Sequence, residues 1–154
     1  MKISIVLAFA VLPELLVVTF AQSEDQTRPP LQPQPLAHAY RGAFVCEKQP
    51  AAADILHVPA DLAIRGDQVQ FGRPMFNLDG TRVLGSELGL GSVDGRGAVN
   101  IASSWSFRGI SIRGVYEGTL TSSGGTLTGT QTWQGADGAR RSRTCRIALV
   151  PGST

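Results

Sequence analysis

Two tryptophans and a tyrosine stand among small polar residues in the second half of the chain, a combination typical of sites that bind small molecules. Aromatic rings can form the walls of such a site, while hydroxyl, amide and guanidinium groups orient the bound molecule. We expect these side chains to take a small, partly apolar ligand at one end of the fold. The candidate ligand-binding residues are Trp105, Trp133, Tyr116, Ser86, Ser103, Gln131 and Arg73.

Catalytic chemistry lacks its usual parts in this sequence. The only histidines, His38 and His57, fall in a proline-rich segment and in a long loop. No carboxylate is assigned to the inward face of the fold, so paired acid–base chemistry is not expected. Ser86 and Ser103 have no inward base to activate them as nucleophiles. We therefore predict a protein that is not an enzyme and that needs no metal or cofactor.

Only two cysteines occur, Cys46 and Cys145, and they predict one disulfide. The bond would close a loop of about 100 residues, for which chain entropy allows a stabilisation of about 4 to 5 kcal/mol as an upper bound. A metal site is the alternative, but neither cysteine has a histidine or carboxylate at metal-ligand spacing. Oxidised cysteines are typical of exported proteins.

The N-terminus predicts export. Lys2 precedes an apolar run from Ile3 to Ala21, and residues 1–21 resemble a signal peptide that is cleaved after Ala21. An uncleaved membrane anchor is the alternative, although Glu14 would be costly near the middle of a bilayer. We predict a periplasmic or secreted protein that does not span the membrane after cleavage.

The rest of the chain divides into a linker, one domain and a short tail. Four prolines in residues 22–39 predict a disordered linker. Residues 40–150 form the predicted domain, and 151–154 form the tail. The net charge of +2 is too small to favour nucleic acid as a partner. Four arginines near the C-terminus with no acid among them could favour an anionic partner or simply line a solvated strand: Arg140, Arg141, Arg143 and Arg146.

Short apolar alternations separated by turn signals run through the whole domain and predict eight β-strands. Asp-Gly and Gly-Gly pairs supply the positive backbone angles that tight hairpins need. The expected strands are near 40–48, 60–65, 68–76, 82–92, 97–105, 110–120, 126–134 and 141–149. The loops that should share one mouth are 49–59, 77–81, 106–109 and 134–140.

Pairing the strands across each turn tests this arrangement. Across the turn at 77–81 we pair Met75 with Leu84, which points the even-numbered residues of the next strand inward and Glu87 outward. Leu84, Ser86, Leu88 and Leu90 are the inward residues that this pairing predicts. Across residues 122–125 we pair Leu120 with Leu127, and Gly118 then lies opposite Gly129.

Closing the meander into a barrel removes the two exposed edges that an open sheet would have. An even number of strands makes the first and last strands antiparallel neighbours, so Cys46 and Cys145 would join them across the closing seam. The polar outward positions argue against a membrane barrel. We predict an all-β, eight-stranded, antiparallel up-and-down barrel with a meander topology.

The stretch YEGTLTSSGGTLTGTQTW (116–133) resembles the Gly-Thr-rich strands of avidin-like barrels and, less closely, of lipocalins and other calycins. The domain as a whole resembles short exported bacterial proteins of uncharacterised function, through FVCEK (44–48), GSELGLG (85–91), GTLTGTQTW (125–133) and TC (144–145). The first resemblance implies a barrel shape. It implies no biotin contact, because YRGAFVCEKQP (40–50) replaces the opening strand of avidin-like proteins.

Two functions follow as expectations from these features. One is the binding of a small-molecule ligand at the barrel mouth, where the facing glycines Gly118 and Gly129 would leave space. The other is a protein-interaction, inhibitor or envelope module that acts through its loops and its arginine-rich last strand. A barrel filled by its own side chains favours the second function, and the glycines would then only allow the strands to bend.

Overall fold

The computed structural model describes residues 35–47, 56–77 and 80–152. Its ordered elements are eight β-strands in chain order: β1 (Ala39–Cys46), β2 (Leu56–Arg65), β3 (Gln68–Phe76), β4 (Val83–Val93), β5 (Ala98–Phe107), β6 (Ile110–Thr121), β7 (Gly124–Gln134) and β8 (Arg140–Pro151). Each strand pairs antiparallel with its neighbours in sequence, and β1 pairs with β8 to close the barrel. The predicted fold class is confirmed.

The hairpin turns place most of their positive φ angles at glycines, and Arg108 is the exception among the described residues. Arg108 and Gly109 form a two-residue turn in which both φ angles are positive, as in a type I′ hairpin. The Asp94 carboxylate accepts hydrogen bonds from the backbone N–H groups of Arg96 and Ala98, at 2.9 and 2.8 Å. These bonds lower the pKa of the exposed Asp94 side chain. The sequence signals for turns therefore correspond to real reversals of the chain.

The closing seam carries the predicted disulfide. Cys46 on β1 lies directly opposite Cys145 on β8, and their sulfurs are bonded across a sequence separation of 99 residues. Because disulfides persist in oxidising compartments, this bond indicates an extracytoplasmic environment.

Some sequence predictions lie outside the described residues. The signal peptide, residues 22–34 of the linker, residue 48 at the end of the first predicted strand and residues 49–55 of the long loop belong to this group. Where the linker can be described, Leu36 and Ala37 pack against the core, and the backbone N–H of Ala37 donates to the Tyr40 hydroxyl. The loop that we expected at 49–59 already contains the start of β2 at Leu56.

The barrel interior has two unlike halves. The end opposite the mouth is closed by apolar side chains, among them Leu120, Leu127, Ile147 and Leu149. In the middle, the rings of Phe44, Phe71 and Tyr116 pack with centroids 5.6–6.2 Å apart. Toward the mouth the interior becomes polar, and this polar half is where the candidate site lies.

Candidate functional site

The polar half of the interior is organised around Glu87, which the sequence analysis placed on the outside. Glu87 is fully buried, with 0% of its surface exposed. Strand β4 is shifted by one residue from the expected register: Met75 pairs with Gly85 rather than with Leu84, and an irregularity follows between Met75 and Phe76. A shift of one residue exchanges the two faces of a strand. The predicted orientation of β4 is therefore wrong.

The glycines of β4 explain why this orientation is the stable one. A Cβ at Gly89 would lie 2.8 Å from Cγ2 of Ile101 and 3.0 Å from Cβ of Ser103. The barrel wall at this height has no room for a larger inward side chain. Leu88 and Leu90 consequently point outward and are 64% and 70% exposed.

Four neighbouring side chains donate hydrogen bonds to the Glu87 carboxylate. Oε2 accepts from Arg73 Nε at 2.8 Å and from Gln131 Nε2 at 3.0 Å. Oε1 accepts from Ser103 Oγ at 2.5 Å and from the Tyr116 hydroxyl at 3.4 Å. A carboxylate has about four acceptor positions. Protein donors therefore occupy the whole carboxylate, and Glu87 has no acceptor position left for a substrate proton.

Arg73 supplies the opposite charge. Its guanidinium lies over the Phe44 ring, with Cζ 4.2 Å from the ring centroid, and only 3% of the residue is exposed. Besides the bond from Nε, Nη2 lies 2.5 Å from Oε2 of Glu87. That contact is an ion pair in which the N–H bonds of Nη2 do not point at the carboxylate oxygen. Nη2 therefore has no hydrogen-bond partner among the described residues. The two charges neutralise each other inside the barrel.

Gln131 links this buried pair to a second arginine nearer the mouth. Its amide nitrogen donates to Glu87, and its Oε1 accepts from Nε and Nη2 of Arg143, at 3.0 and 2.6 Å. The Arg143 guanidinium lies 5.4 Å from the centroid of the Trp133 ring. Burial, together with the positive charge of Arg73, lowers the pKa of Arg143.

Tyr116 is held in a slot made by two glycines. A Cβ on Gly114 would lie 2.2 Å from the tyrosine hydroxyl oxygen, and a Cβ on Gly129 would lie 2.8 Å from its Cδ1. Burial first, and the negative charge of Glu87 second, raise the pKa of the Tyr116 hydroxyl. The hydroxyl thus remains a donor.

The two tryptophans lie at the mouth, on either side of Ile112. Trp105 on β5 and Trp133 on β7 both pair with this residue of β6. Both rings are half-buried, and Trp105 stacks on Phe107 with centroids 5.9 Å apart. The two tryptophans that the sequence predicted at the mouth therefore lie at the mouth end of the polar half.

Six of the seven predicted site residues lie in or above this polar half, and the seventh does not. Ser86 is exposed on the outer surface, because the shift of β4 turns it away from the interior. The predicted pairing of Gly118 with Gly129 is also wrong: Gly129 pairs with Tyr116, and Gly118 pairs with Leu127. The space that these glycines leave is filled by the Tyr116 and Leu127 side chains.

Sequence reasoning missed Glu87, although a signal for it was present. Arg73 was correctly placed inside, and a buried guanidinium needs an anionic partner. Glu87 is the only acidic residue in the next strand, β4. Pairing Arg73 with it would have reversed the strand. The premise that no carboxylate points inward is therefore wrong.

Among the described residues, no cluster of three or more histidine, cysteine, aspartate or glutamate side chains could hold a metal ion. Over the same part of the chain there is no helix long and apolar enough to cross a membrane. Comparison with known protein families, with characterised proteins and with solved structures finds no match for this chain.

Proposed function

We propose that this protein is an exported, non-enzymatic barrel that binds a small, partly apolar molecule at its mouth. The observation that carries the proposal is the Arg143–Trp133 pair, which is half-buried at the mouth end of the barrel, above the buried polar side chains. A barrel needs no charge inside to be stable, because replacing buried ion pairs by apolar residues is often neutral or stabilising. Ligand sites combine apolar and aromatic walls with a few polar groups, and Trp105, Trp133 and Arg143 supply both at the mouth.

Export and lack of catalysis belong to the same proposal. The disulfide supports an oxidising compartment, and the N-terminal sequence supports delivery to the periplasm or beyond it. Glu87 is engaged by four protein donors, and Ser103 donates its hydroxyl proton toward Glu87 at 2.5 Å. The acceptor positions of Glu87 are already occupied, and Ser103 is itself buried, with 6% of its surface exposed, which supports a role other than catalysis.

Native mass spectrometry of the oxidised mature protein, purified from the envelope fraction of its own host, tests this function. We expect a retained small molecule that is lost in the Trp133→Ala variant. Thr130→Ala is the matched control, since Thr130 lies on the same strand but is exposed outside the barrel. A bare protein mass in the wild type, with only the two-hydrogen deficit of one disulfide, would count against a ligand.

A second candidate function, protein interaction, is favoured by the outer face of β3, β4 and β5. The outward positions of these strands carry no charged residue: Gln68, Gln70, Gly72, Pro74, Ser86, Leu88, Leu90, Ser92, Ala98, Asn100, Ala102, Ser104 and Ser106. Leu90 lies between Gln70 and Ala102, and Leu88 lies beside Ser104. Leu88 and Leu90 are the large apolar side chains exposed on this uncharged face, and neighbouring exposed leucines favour an interaction site.

The occupant that fits this face is a second copy of the chain, because an uncharged surface complements itself without leaving a charge unpaired. Sedimentation at increasing protein concentration tests it. We expect a dimer that the double variant Leu88→Ser/Leu90→Ser abolishes and that the outward control Thr128→Ala retains. A wild type that stays monomeric at high concentration would remove this candidate.

A further inference from the structure

The interior near the mouth holds one positive charge more than it holds negative charges. Arg73 and Glu87 neutralise each other at 2.8 Å. Arg143 is the third charged side chain, and its hydrogen-bond partner among the described residues is the neutral amide oxygen of Gln131. No described carboxylate forms an ion pair with it. Burying an uncompensated charge is costly, so this arrangement favours an added anion.

Arg143 is also positioned to receive such an anion. Two of its five N–H donors are engaged by Gln131, and three remain. The contact with the Trp133 ring and the two bonds to Gln131 hold the guanidinium plane in place. A fixed guanidinium fork matches the two oxygens of a carboxylate better than a flexible ammonium does.

The charge around the mouth points the same way. Among the described residues at this end, Arg82, Arg108, Arg140 and Arg141 face only Glu47 and Asp137 as acids. At the opposite end of the barrel, Arg65 and Arg96 are balanced by Asp67 and Asp94. Within the described part of the chain, the tryptophan-bearing end therefore carries the larger excess of positive charge, which favours an anionic ligand there.

We propose that the mouth binds a small organic carboxylate whose carboxyl group pairs with Arg143 and whose apolar body lies against Trp133 and Trp105. One excess positive charge in the interior is neutralised by one carboxylate, whereas a phosphate group would bring nearly two negative charges. This inference rests on the proposed ligand-binding function and adds the chemical class of the ligand.

A pair of probes that differ only in charge tests the inference on the unmodified protein. Naphthoate and naphthamide have the same ring, and the chain has two tryptophans, so the two indole N–H signals in an NMR spectrum report directly on the mouth. We expect naphthoate to shift both signals and to bind roughly tenfold to a hundredfold more tightly than naphthamide, as expected for charge-assisted hydrogen bonds.

Two variants locate the effect. Arg143→Met keeps most of the side-chain stem but removes the charge, and we expect it to weaken naphthoate by the same roughly tenfold to hundredfold. Arg146→Met removes an exposed charge from the outer face of the same strand, and we expect wild-type affinity. A native-like spectrum of each free variant shows that it is folded.

The outcomes separate this inference from the function on which it rests. Equal affinity for naphthoate and naphthamide would overturn the inferred preference for a carboxylate but would leave a ligand site at the mouth. The same conclusion follows if Arg143→Met and Arg146→Met bind naphthoate equally well. If neither compound moves the indole signals at millimolar concentration, the carboxylate site is refuted, and a bare mass in the native spectrum would then refute ligand binding as well.

Discussion

At the scale of single residues, the Glu87 carboxylate combines full burial with four donors from four different strands. Arg73 comes from β3, Ser103 from β5, Tyr116 from β6 and Gln131 from β7. A buried ion pair contributes little net stability while both partners are present. Removing either Arg73 or Glu87 leaves the remaining charge buried and uncompensated, which is strongly destabilising. The group therefore acts as a common anchor for half of the barrel wall.

This anchoring predicts strong coupling between Arg73 and Glu87. We expect Glu87→Gln and Arg73→Met each to lower the free energy of unfolding by about 3–5 kcal/mol. The double variant should lose far less than the sum of the two, since it removes both charges together. Urea unfolding of the four proteins measures the coupling, with the exposed Ser104→Ala as a neutral control. Additive losses would contradict the ion pair.

Tyr116 gives the barrel a specific weakness at high pH. Its pKa is raised in the folded state above the ordinary value of 10.0, so the unfolded chain releases the proton first as the pH rises. The tyrosine's contribution to stability is thus complete below about pH 10 and is lost above it. We expect Tyr116→Phe to flatten the fall in unfolding free energy between about pH 9 and 11. Equal slopes for the two proteins would contradict the raised pKa.

Single-residue reasoning from the sequence succeeded where alternation was unambiguous. Arg73, Ser103 and Gln131 each sit between outward polar or small residues in strands whose apolar residues fix the face. The same reasoning failed for Ser86 because β4 offers two plausible faces, one with leucines and one with glycines and a glutamate. Hydrophobicity alone predicts that the leucine face of β4 points inward. The small volume inside the barrel instead requires the face with the glycines to point inward.

At the scale of elements, the sequence predicted the eight strands and their order, and β3 at 68–76 agrees residue for residue. The residue-by-residue register between the strands was harder to predict. In the β6–β7 hairpin Leu120 pairs with Gly125 rather than with Leu127, a shift of two residues that leaves the faces unchanged. In the β3–β4 hairpin the shift is one residue, which reverses the face. Irregularities near a turn are decided by tertiary packing, so the local sequence did not reveal them.

Inward glycines are the element-level feature that lets large rings fit inside this narrow barrel. A Cβ on Gly129 would lie 1.9 Å from the backbone oxygen of Val115, which cannot move without disturbing the β6–β7 pairing. A Cβ on the outward Gly72 would meet only Cδ2 of Leu88, at 3.8 Å, which is an ordinary contact.

We therefore expect opposite results from two glycine-to-alanine substitutions. Gly129→Ala should lower the free energy of unfolding by about 1–3 kcal/mol through overpacking. Gly72→Ala should change it by no more than about 0.5 kcal/mol, or raise it slightly, because alanine loses less backbone entropy on folding. Thermal or urea unfolding distinguishes the two. Equal losses would mean that the interior has more room than the contacts indicate.

At the scale of the whole molecule, closure depends on one seam between the first strand and the last. Ladder pairing runs from Tyr40 opposite Pro151 to Cys46 opposite Cys145, so the disulfide fixes the mouth end of the seam. The sequence predicted this bond from the cysteine count and the strand parity together. It could not predict the ligand, because ligand identity depends on distances between side chains from several strands.

Removing the disulfide should cost stability without changing the fold. We expect Cys46→Ala/Cys145→Ala to lower the free energy of unfolding by up to about 4–5 kcal/mol, because the unfolded chain regains the freedom of a loop of nearly 100 residues. Urea unfolding with and without reductant measures this. Reductant should weaken the wild type and leave the variant unchanged, and a wild type that is insensitive to complete reduction would contradict a stabilising bond.

The pairing of β1 with β8 also determines when the barrel can close during synthesis. Strand β1 precedes β8 by about 100 residues, yet one of its two hydrogen-bonded edges has β8 as its partner. Such long-range pairing slows folding, since closing a long loop costs entropy before its contacts compensate for it. A chain that stops short of β8 would expose unpaired edges along β1 and β7, and edges of this kind recruit other chains. During synthesis β1 therefore stays unpaired along one edge until β8 has been made.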